Sequence, residues 1–355
     1  MSAADQPEPK GQVDEAPGPI MITGVGGFLG RSIARALLDR GLEVRGLCRG
    51  DYPDLRESGV DLHRGDIADA GVVSEALQGC SAVFHVAARI GIWGPYEAFF
   101  ATNTTGTRNV IAACREHRIG TLVYTSTPSV VHSGEGLCGI DESVPYPDHF
   151  ETHYPATKAL AERDVLAADS PELATCALRP HLVWGPGDTS LLPRLLARAK
   201  AGRVRTIGEP QPIDTLYIDN AVHAHLLAYD RLRTRTPGED PETSPAGKAY
   251  FITQGDPLPG PQFIADLLGA AGLPAPDKNI SVAKARVAAT IVEGLWTLFR
   301  IEREPPITKF LVSQLSTAHW YDISAARRDL GYTVQIPYAE GMDRLKTWLK
   351  DQSPS

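Results

Sequence analysis

Short apolar runs alternate with amphipathic segments through the first half of the chain. Residues 20–22 form an apolar run, and residues 32–38 repeat apolar side chains at three- and four-residue spacing, which predicts a strand followed by a helix. Further strands are predicted at 42–48, 82–86, 121–125 and 174–178, and further helices at 106–116 and from Tyr154 past Val165. This alternation predicts an α/β fold with a doubly wound parallel sheet of the Rossmann type.

The pattern changes after about residue 185. Loops become longer, proline and glycine are frequent at 236–246, and residues 261–271 and 283–300 have helical patterns. We therefore expect a flexible leader at 1–18, a Rossmann domain at 19–185, and a smaller, mainly helical lobe at 186–350. Residues of about 215–252 are expected to return from that lobe to the sheet.

Composition excludes several classes of protein. The net charge of −8 argues against nucleic acid as the main partner. Five cysteines without a CxxC pair argue against a disulfide framework and against a metal site, and they favour a cytoplasmic location. No apolar run has the length of a transmembrane segment, and the nearest, residues 287–299, carries Glu293.

A glycine-rich turn lies between the first predicted strand and helix, at Thr23-Gly24-Val25-Gly26-Gly27-Phe28-Leu29-Gly30. Glycines at this spacing permit a tight turn, a close approach of backbone to phosphate, and close packing of helix on strand. The helix N-terminus adds free N–H groups and a partial positive charge. The motif predicts a dinucleotide site, which makes residues 19–185 an NAD(P)-binding domain.

The end of the second strand indicates which dinucleotide is bound. Enzymes that use NAD usually carry Asp or Glu there, whereas this chain has Cys48 followed by Arg49. A guanidinium pairs well with a 2′-phosphate, so we predict NADPH, with NAD as the alternative. Asp66 and Ile67 are candidates for contact with the adenine ring; an ordinary polar loop is the other interpretation of these residues.

Tyr154 and Lys158 are the candidate catalytic pair. They are four residues apart on a predicted helix and therefore share a face. A nearby ammonium is expected to lower the pKa of the tyrosine, which can then protonate a carbonyl oxygen as hydride reaches the carbon. A third hydroxyl is expected just after the strand at 121–125, where Thr127 is the first candidate and Ser126 the second.

These motifs resemble those of the extended short-chain dehydrogenase/reductase superfamily, over roughly residues 20–345, and within it the 3β-hydroxysteroid dehydrogenase branch. The resemblance implies that Thr127 holds the substrate oxygen, that Tyr154 donates the proton and that Lys158 assists it. It also implies cofactor contacts at Gly24, Gly27, Phe28, Leu29, Gly30, Arg49, Asp66, Ile67, Ala87, Ala88, Asn103, Tyr154, Lys158 and Pro180.

Two clusters in the predicted lobe, residues 304–308 and 319–321, are similar to those of the 2-alkyl-3-oxoalkanoate reductases of olefin biosynthesis. This resemblance implies NADPH-dependent reduction of a hydrophobic 2-alkyl-3-oxoalkanoic acid to its 3-hydroxy acid. It further implies a homodimer, and complexes with thiolase-like and β-lactone-forming enzymes. A 3β-hydroxysteroid or sterol dehydrogenase, an NAD-dependent nucleotide-sugar epimerase or dehydratase, and a binding module without activity are the alternatives.

Such a substrate requires an apolar cavity and a group that binds a carboxylate. Candidates for the cavity are Val287, Ile291, Leu295, Trp296 and Leu298, which also fit the lobe's own core. Candidates for the carboxylate are Arg179, His181, Arg194 and Arg300, and the sequence does not choose among them. Residues 283–299 also suggest contact with a membrane surface or a partner enzyme.

Overall fold

The computed structural model describes residues 18–236, 239–240 and 242–352, so the expected leader lies outside the described residues except for Gly18. The strands are β1 (Ile20–Thr23), β2 (Val44–Cys48), β3 (Asp61–Arg64), β4 (Ala82–His85), β5 (Thr121–Thr125), β6 (Leu137–Ile140), β7 (Ala174–Pro180), β8 (Val183–Trp184), β9 (Thr206–Ile207), β10 (Pro212–Ile213), β11 (Leu216–Tyr217), β12 (Lys248–Ile252), β13 (Leu258–Pro259), β14 (Asn279–Ile280) and β15 (His319–Tyr321).

The α-helices are α1 (Phe28–Asp39), α2 (Pro53–Glu57), α3 (Ala70–Leu77), α4 (Tyr96–Phe99), α5 (Gly106–Glu116), α6 (His153–Ala167), α7 (Leu191–Lys200), α8 (Ile218–Arg233), α9 (Gly260–Ala270), α10 (Val282–Leu298), α11 (Lys309–Ser316) and α12 (Tyr338–Asp351). Short π-helical segments at Phe100–Thr105 and Ala326–Leu330, and a 3₁₀ turn at Pro128–Val131, complete the regular structure.

A seven-stranded parallel sheet forms the centre of the fold, in the order β12-β7-β5-β4-β1-β2-β3. Every residue of β1 and of β4 is buried, as expected for strands covered on both faces. The strand order reverses between β1 and β4, and ligands of such sheets bind at the strand carboxyl ends beside that point. The predicted doubly wound fold is confirmed.

Strand β3 was not predicted, because its sequence Asp-Leu-His-Arg lacks an apolar run. It forms the edge of the sheet and pairs only with β2, so its side chains need not be apolar. Arg64 is the last residue of this strand and pairs with Cys48.

The second part of the fold is built from helices and a four-stranded sheet in the order β13-β10-β15-β6. Strand β6 comes from residues 137–140, which lie before the expected boundary at 185, and it pairs in parallel with β15. Strand β12, in contrast, joins the large sheet beside β7. Chain therefore passes between the two parts in both directions, because β-pairing joins segments that are far apart in sequence.

Within the part of the chain that the structure describes, no helix combines the length and apolarity that crossing a bilayer requires.

Candidate active site

The glycine-rich turn connects β1 to α1 with almost no free space around it. Gly24 has φ +71°, and a Cβ added there would lie 2.7 Å from the Cα of Ala87. A Cβ on Gly30 would lie 2.4 Å from the carbonyl oxygen of Gly24. The end of β4 and the first turn of α1 therefore pack against the turn at distances that only glycine allows. Phe28 and Leu29 begin the helix whose N-terminus faces the predicted phosphate position.

A buried chain of hydrogen bonds holds this turn to β4. The Thr107 hydroxyl donates to the Asn103 carbonyl (2.6 Å), so it can only accept from Nε2–H of His85 (2.9 Å). Nδ1 of His85 then accepts from the Thr23 hydroxyl (2.6 Å), whose oxygen accepts from the N–H of Ala87 (3.2 Å). Burial lowers the pKa of His85 to about 3, which keeps the ring neutral and this tautomer fixed.

The side-chain oxygen and nitrogen of Asn103 both form hydrogen bonds within the protein. Its Oδ1 accepts from the N–H of Arg89 (2.7 Å), and its Nδ2 donates to the Arg89 carbonyl (3.1 Å) and to Oγ1 of Thr157 (3.0 Å). The predicted contact of Asn103 with the cofactor is untested. Its hydrogen bonds show that it ties the loop after β4 to helix α6.

The adenosine end of the predicted site lies beyond β2. Arg49 is exposed, with Nη1 4.0 Å from Oδ2 of Asp66. The ring of Tyr52 lies so close to Gly26 that a Cβ there would be 2.1 Å from it. The guanidinium of Arg31 lies 5.3 Å from the centre of the same ring.

Arg31 and Tyr52 were not among the residues predicted from the sequence, and the position of Ile67 limits how it could contact a cofactor. Arg31 directly follows Gly30, a position that marks the first turn of a dinucleotide-binding helix. The side chain of Ile67 is buried in the core against Gly106, where an added Cβ would be 2.6 Å from it. The predicted adenine contact of Ile67 therefore cannot involve its side chain.

Lys158 lies on α6, one turn after Tyr154, and is buried, with 1% of its surface exposed. Its Nζ donates to the carbonyl of Thr125 (2.7 Å) and lies 4.1 Å from the centre of the Tyr124 ring. Burial lowers the pKa of Lys158 to about 7, and the carboxylate of Glu162 acts in the opposite direction. This ammonium can therefore exchange a proton near neutral pH.

Thr127 and Tyr154 meet at the carboxyl end of β5. Burial raises the pKa of Tyr154 to about 12, and a hydrogen bond with Thr127 lowers it in part. The expectation that Lys158 lowers this pKa is wrong for this structure, because burial dominates and Nζ is directed to Thr125. Thr127 also caps the turn that follows it, while Oγ of Ser126 has no hydrogen-bond partner among the described residues.

The remaining cofactor candidates lie along the same edge. Ala87 and Ala88 follow β4 directly, and Pro180 is the last residue of β7, paired with Ile252. The structure thus brings the carboxyl ends of β1, β4, β5 and β7 to one edge of the parallel sheet, the edge where the glycine turn also lies.

Three of the four candidates for the substrate carboxylate are unsuited to that role. Arg179 is buried in an ion pair with Glu162 (2.6 Å). Arg194 forms an exposed pair with Glu304 (3.3 Å). Nδ1–H of His181 donates to the Asp214 carbonyl (2.7 Å), and burial lowers the pKa of this ring to about 4, so it is uncharged at neutral pH.

The apolar side chains of α10 point outward. Val287, Ile291, Leu295 and Leu298 are 60%, 57%, 43% and 72% exposed, so the prediction that they line an internal cavity is wrong. Helical periodicity cannot tell an inner from an outer apolar face, and the small residues of the helix, such as Ala285, face the lobe. Trp296 donates from Nε1 to the Arg303 carbonyl. Contact of this outer face with a membrane or a partner stays a prediction.

Comparison with known proteins settles the family. Residues 21–282 match the model of the 3-beta hydroxysteroid dehydrogenase/isomerase family. The chain belongs to this family. It is therefore an oxidoreductase that uses a nicotinamide dinucleotide, as predicted.

Two relatives resemble the chain over most of its length. A 2-alkyl-3-oxoalkanoate reductase of Stenotrophomonas maltophilia (strain K279a) is 50% identical over 332 residues, which are 92% of this chain and 98% of the relative. A 2-alkyl-3-oxoalkanoate reductase of Shewanella oneidensis (strain MR-1) is 42% identical over 336 residues, 92% of this chain and 85% of the relative. The crystal structure of gox2253, at 23% identity, has a TM-score of 0.74 and covers 95% of this chain and 99% of its own; it supports the fold alone.

Proposed function

We propose that this enzyme uses NADPH to reduce a 2-alkyl-3-oxoalkanoic acid to the 2-alkyl-3-hydroxyalkanoic acid, with Tyr154 as the proton donor. The observation that carries the proposal is the position of Tyr154 on α6 with Lys158 buried one helical turn later, while Thr127 follows the carboxyl end of β5. The activity named for the relatives at 50% and 42% identity supports the substrate.

Thr127, Tyr154 and Lys158 have separate roles in the proposed reduction. Thr127 and Tyr154 donate hydrogen bonds to the substrate's carbonyl oxygen and so fix the carbonyl carbon in place. Bound NADPH supplies the hydride to that carbon. Tyr154 then transfers its phenolic proton to the oxygen, which completes the alcohol. Burial lowers the pKa of Lys158, one helical turn after Tyr154, to about 7, so its ammonium can return a proton to the phenolate after the alcohol has formed.

Arg49 and Arg31 support the choice of NADPH over NAD. Both guanidinium groups lie beside the turn after β2, where the 2′-phosphate of NADP(H) is recognised in this type of fold. Arg31 also forms an ion pair with Asp54 from α2. We assign the 2′-phosphate contact to Arg49, whose nearest carboxylate, that of Asp66, is 4.0 Å away.

The proposed substrate and product also indicate which reactions precede and follow this one. A 2-alkyl-3-oxoalkanoic acid is the product type of a thiolase-like condensation, and its 3-hydroxy acid is the substrate type of a β-lactone-forming enzyme. We propose that the chain acts between two such enzymes in long-chain olefin biosynthesis, as a homodimer that contacts them.

The decisive test uses purified protein, a long-chain 2-alkyl-3-oxoalkanoic acid, and NADPH or NADH. Tyr154→Phe should lower kcat by about 10²- to 10⁴-fold, because the general acid is lost, while NADPH binding in a fluorescence titration stays near wild type. Tyr338→Phe removes a hydroxyl that bonds Asp266 away from the site and serves as the matched control. Wild-type turnover by Tyr154→Phe would refute the mechanism. Better turnover of a sterol with NAD would favour a 3β-hydroxysteroid dehydrogenase instead.

A further inference from the structure

Arg89 occupies a position between the predicted cofactor site and the catalytic helix. It follows β4 in the segment that begins at Ala87, which packs on the glycine turn at Gly24. The amide of Asn103 binds both the N–H and the carbonyl of Arg89, at 2.7 and 3.1 Å. Its backbone is therefore fixed at the strand carboxyl edge, where ligands of this fold bind.

The guanidinium of Arg89 has hydrogen-bonding capacity that the protein does not use. It is partly buried, with Cζ 5.2 Å from the centre of the Phe99 ring. Its Nε is buried and has no hydrogen-bond partner among the described residues, and none of their carboxylates forms an ion pair with the group. A buried cationic donor without a partner is costly, and a bidentate anion satisfies a guanidinium best.

Among the described residues, the other arginine with a buried, unpaired guanidinium nitrogen is Arg179, whose charge Glu162 already balances at 2.6 Å. Arg300, the fourth carboxylate candidate taken from the sequence, has no ion-pair partner among the described residues, but it is exposed and follows the end of α10. Arg89 thus combines a positive charge, partial burial and a backbone position at the carboxyl edge of the sheet.

Arg89 is rigidly linked to the proton donor. The Nδ2 of Asn103 that binds the Arg89 carbonyl also donates to Oγ1 of Thr157 (3.0 Å). The Thr157 hydroxyl in turn lies 3.0 Å from the Tyr154 carbonyl, within the first turn of α6. In a 3-oxo acid the carboxylate carbon is two bonds from the ketone carbon. An anion site for such a substrate must therefore lie beside the catalytic hydroxyls, on the same rigid unit.

We propose that Arg89 binds the carboxylate of the substrate and thereby selects a keto acid over a neutral ketone. The proposal rests on the proposed function. The guanidinium forms two parallel hydrogen bonds with the carboxylate oxygens, while the ketone oxygen lies against Thr127 and Tyr154. Selection arises because a neutral ester or ketone leaves the guanidinium unsatisfied.

The test compares kcat/KM for a 2-alkyl-3-oxoalkanoic acid and for its methyl ester in wild type, Arg89→Met and Arg89→Lys. Arg89→Met should lower kcat/KM for the acid by about 10- to 150-fold, the range for a lost hydrogen bond to a charged group, and change the ester by less than about threefold. Arg89→Lys should fall between, because lysine keeps the charge and loses the fork geometry. The Asn103 clamp holds only the backbone of residue 89, so these variants retain it.

Arg115→Met removes an exposed arginine in the last turn of α5, which leads into the amino end of β5, and should leave the acid-to-ester ratio unchanged. NADPH titration of each variant separates a substrate role from a cofactor role. An equal loss for acid and ester, or a weaker NADPH affinity in Arg89→Met, would overturn the proposal, as would no loss at all. If wild type reduces neither acid nor ester, the proposed function fails; if it reduces the acid and Arg89→Met does so equally well, only the role of Arg89 fails.

Discussion

The buried ion pair between Glu162 and Arg179 allows a quantitative prediction of stability. Three contacts join the two side chains, the shortest at 2.6 Å, and Oε1 of Glu162 also accepts from the Tyr146 hydroxyl (2.6 Å). The side-chain exposures are 0% for Glu162 and 4% for Arg179. In Glu162→Gln the size is preserved but the negative charge is lost.

The expected loss of unfolding free energy follows from the charge that Glu162→Gln leaves on Arg179. Arginine does not lose its proton in proteins, so the guanidinium of Arg179 would stay charged, buried and without a counterion. Breaking such a pair by removing one partner costs about 3–5 kcal/mol. The matched control is Glu304→Gln, which breaks the exposed pair with Arg194 (3.3 Å) and should cost at most about 1 kcal/mol.

The assay is denaturant unfolding of the purified variants at neutral pH, comparing unfolding midpoints. Glu162→Gln should shift the midpoint several times further than Glu304→Gln. The double variant Glu162→Leu, Arg179→Met should recover most of the loss, because neither position of the former pair then carries a buried charge. Equal small shifts for both single variants would refute the assignment of a tightly coupled buried pair. The pKa of Lys158 should also fall further in Glu162→Gln, since this carboxylate opposes the effect of burial.

Two further predictions concern the site. Burial lowers the pKa of Lys158 from 10.5 to about 7, so the unfolded chain binds more protons than the folded chain between these values, and this group makes stability rise with pH across that range. Lys158→Met should therefore be inactive, yet it should unfold at a higher temperature than wild type at neutral pH. This difference in Tm should shrink as the pH approaches 10.5. A difference in Tm that does not change with pH would contradict this prediction. Arg49→Glu should lower the ratio of kcat/KM with NADPH to kcat/KM with NADH by about tenfold or more, because a charge-assisted hydrogen bond is lost and the new carboxylate repels the 2′-phosphate. An unchanged ratio would show that Arg49 does not distinguish NADPH from NADH.

The sequence predicted the elements whose patterns are local. Alternating apolar runs and amphipathic helices are sufficient to recognise a doubly wound sheet, and β5 and α5 begin and end where the pattern predicted. The Tyr154–Lys158 spacing and the glycine turn were also visible, because one helical turn and one loop contain them. The edge strand β3 was missed because only a buried strand requires an apolar sequence.

Contacts between distant segments were decided by the tertiary structure alone. Tertiary packing buried Lys158 and partly buried Tyr154, so that burial and not the ammonium dominates the pKa of the tyrosine. It paired Glu162 with Arg179, so Arg179 is not available to bind the substrate carboxylate. It also turned the apolar face of α10 outward.

It also held the loop after β4 against helix α6 through Asn103 and left Nε of Arg89 buried without a partner among the described residues. A sequence shows which side chains are available and how they repeat along an element. Charge balance and burial depend on which residues meet across the fold, and here those residues are up to about two hundred positions apart, as Trp93 and Ile301 show.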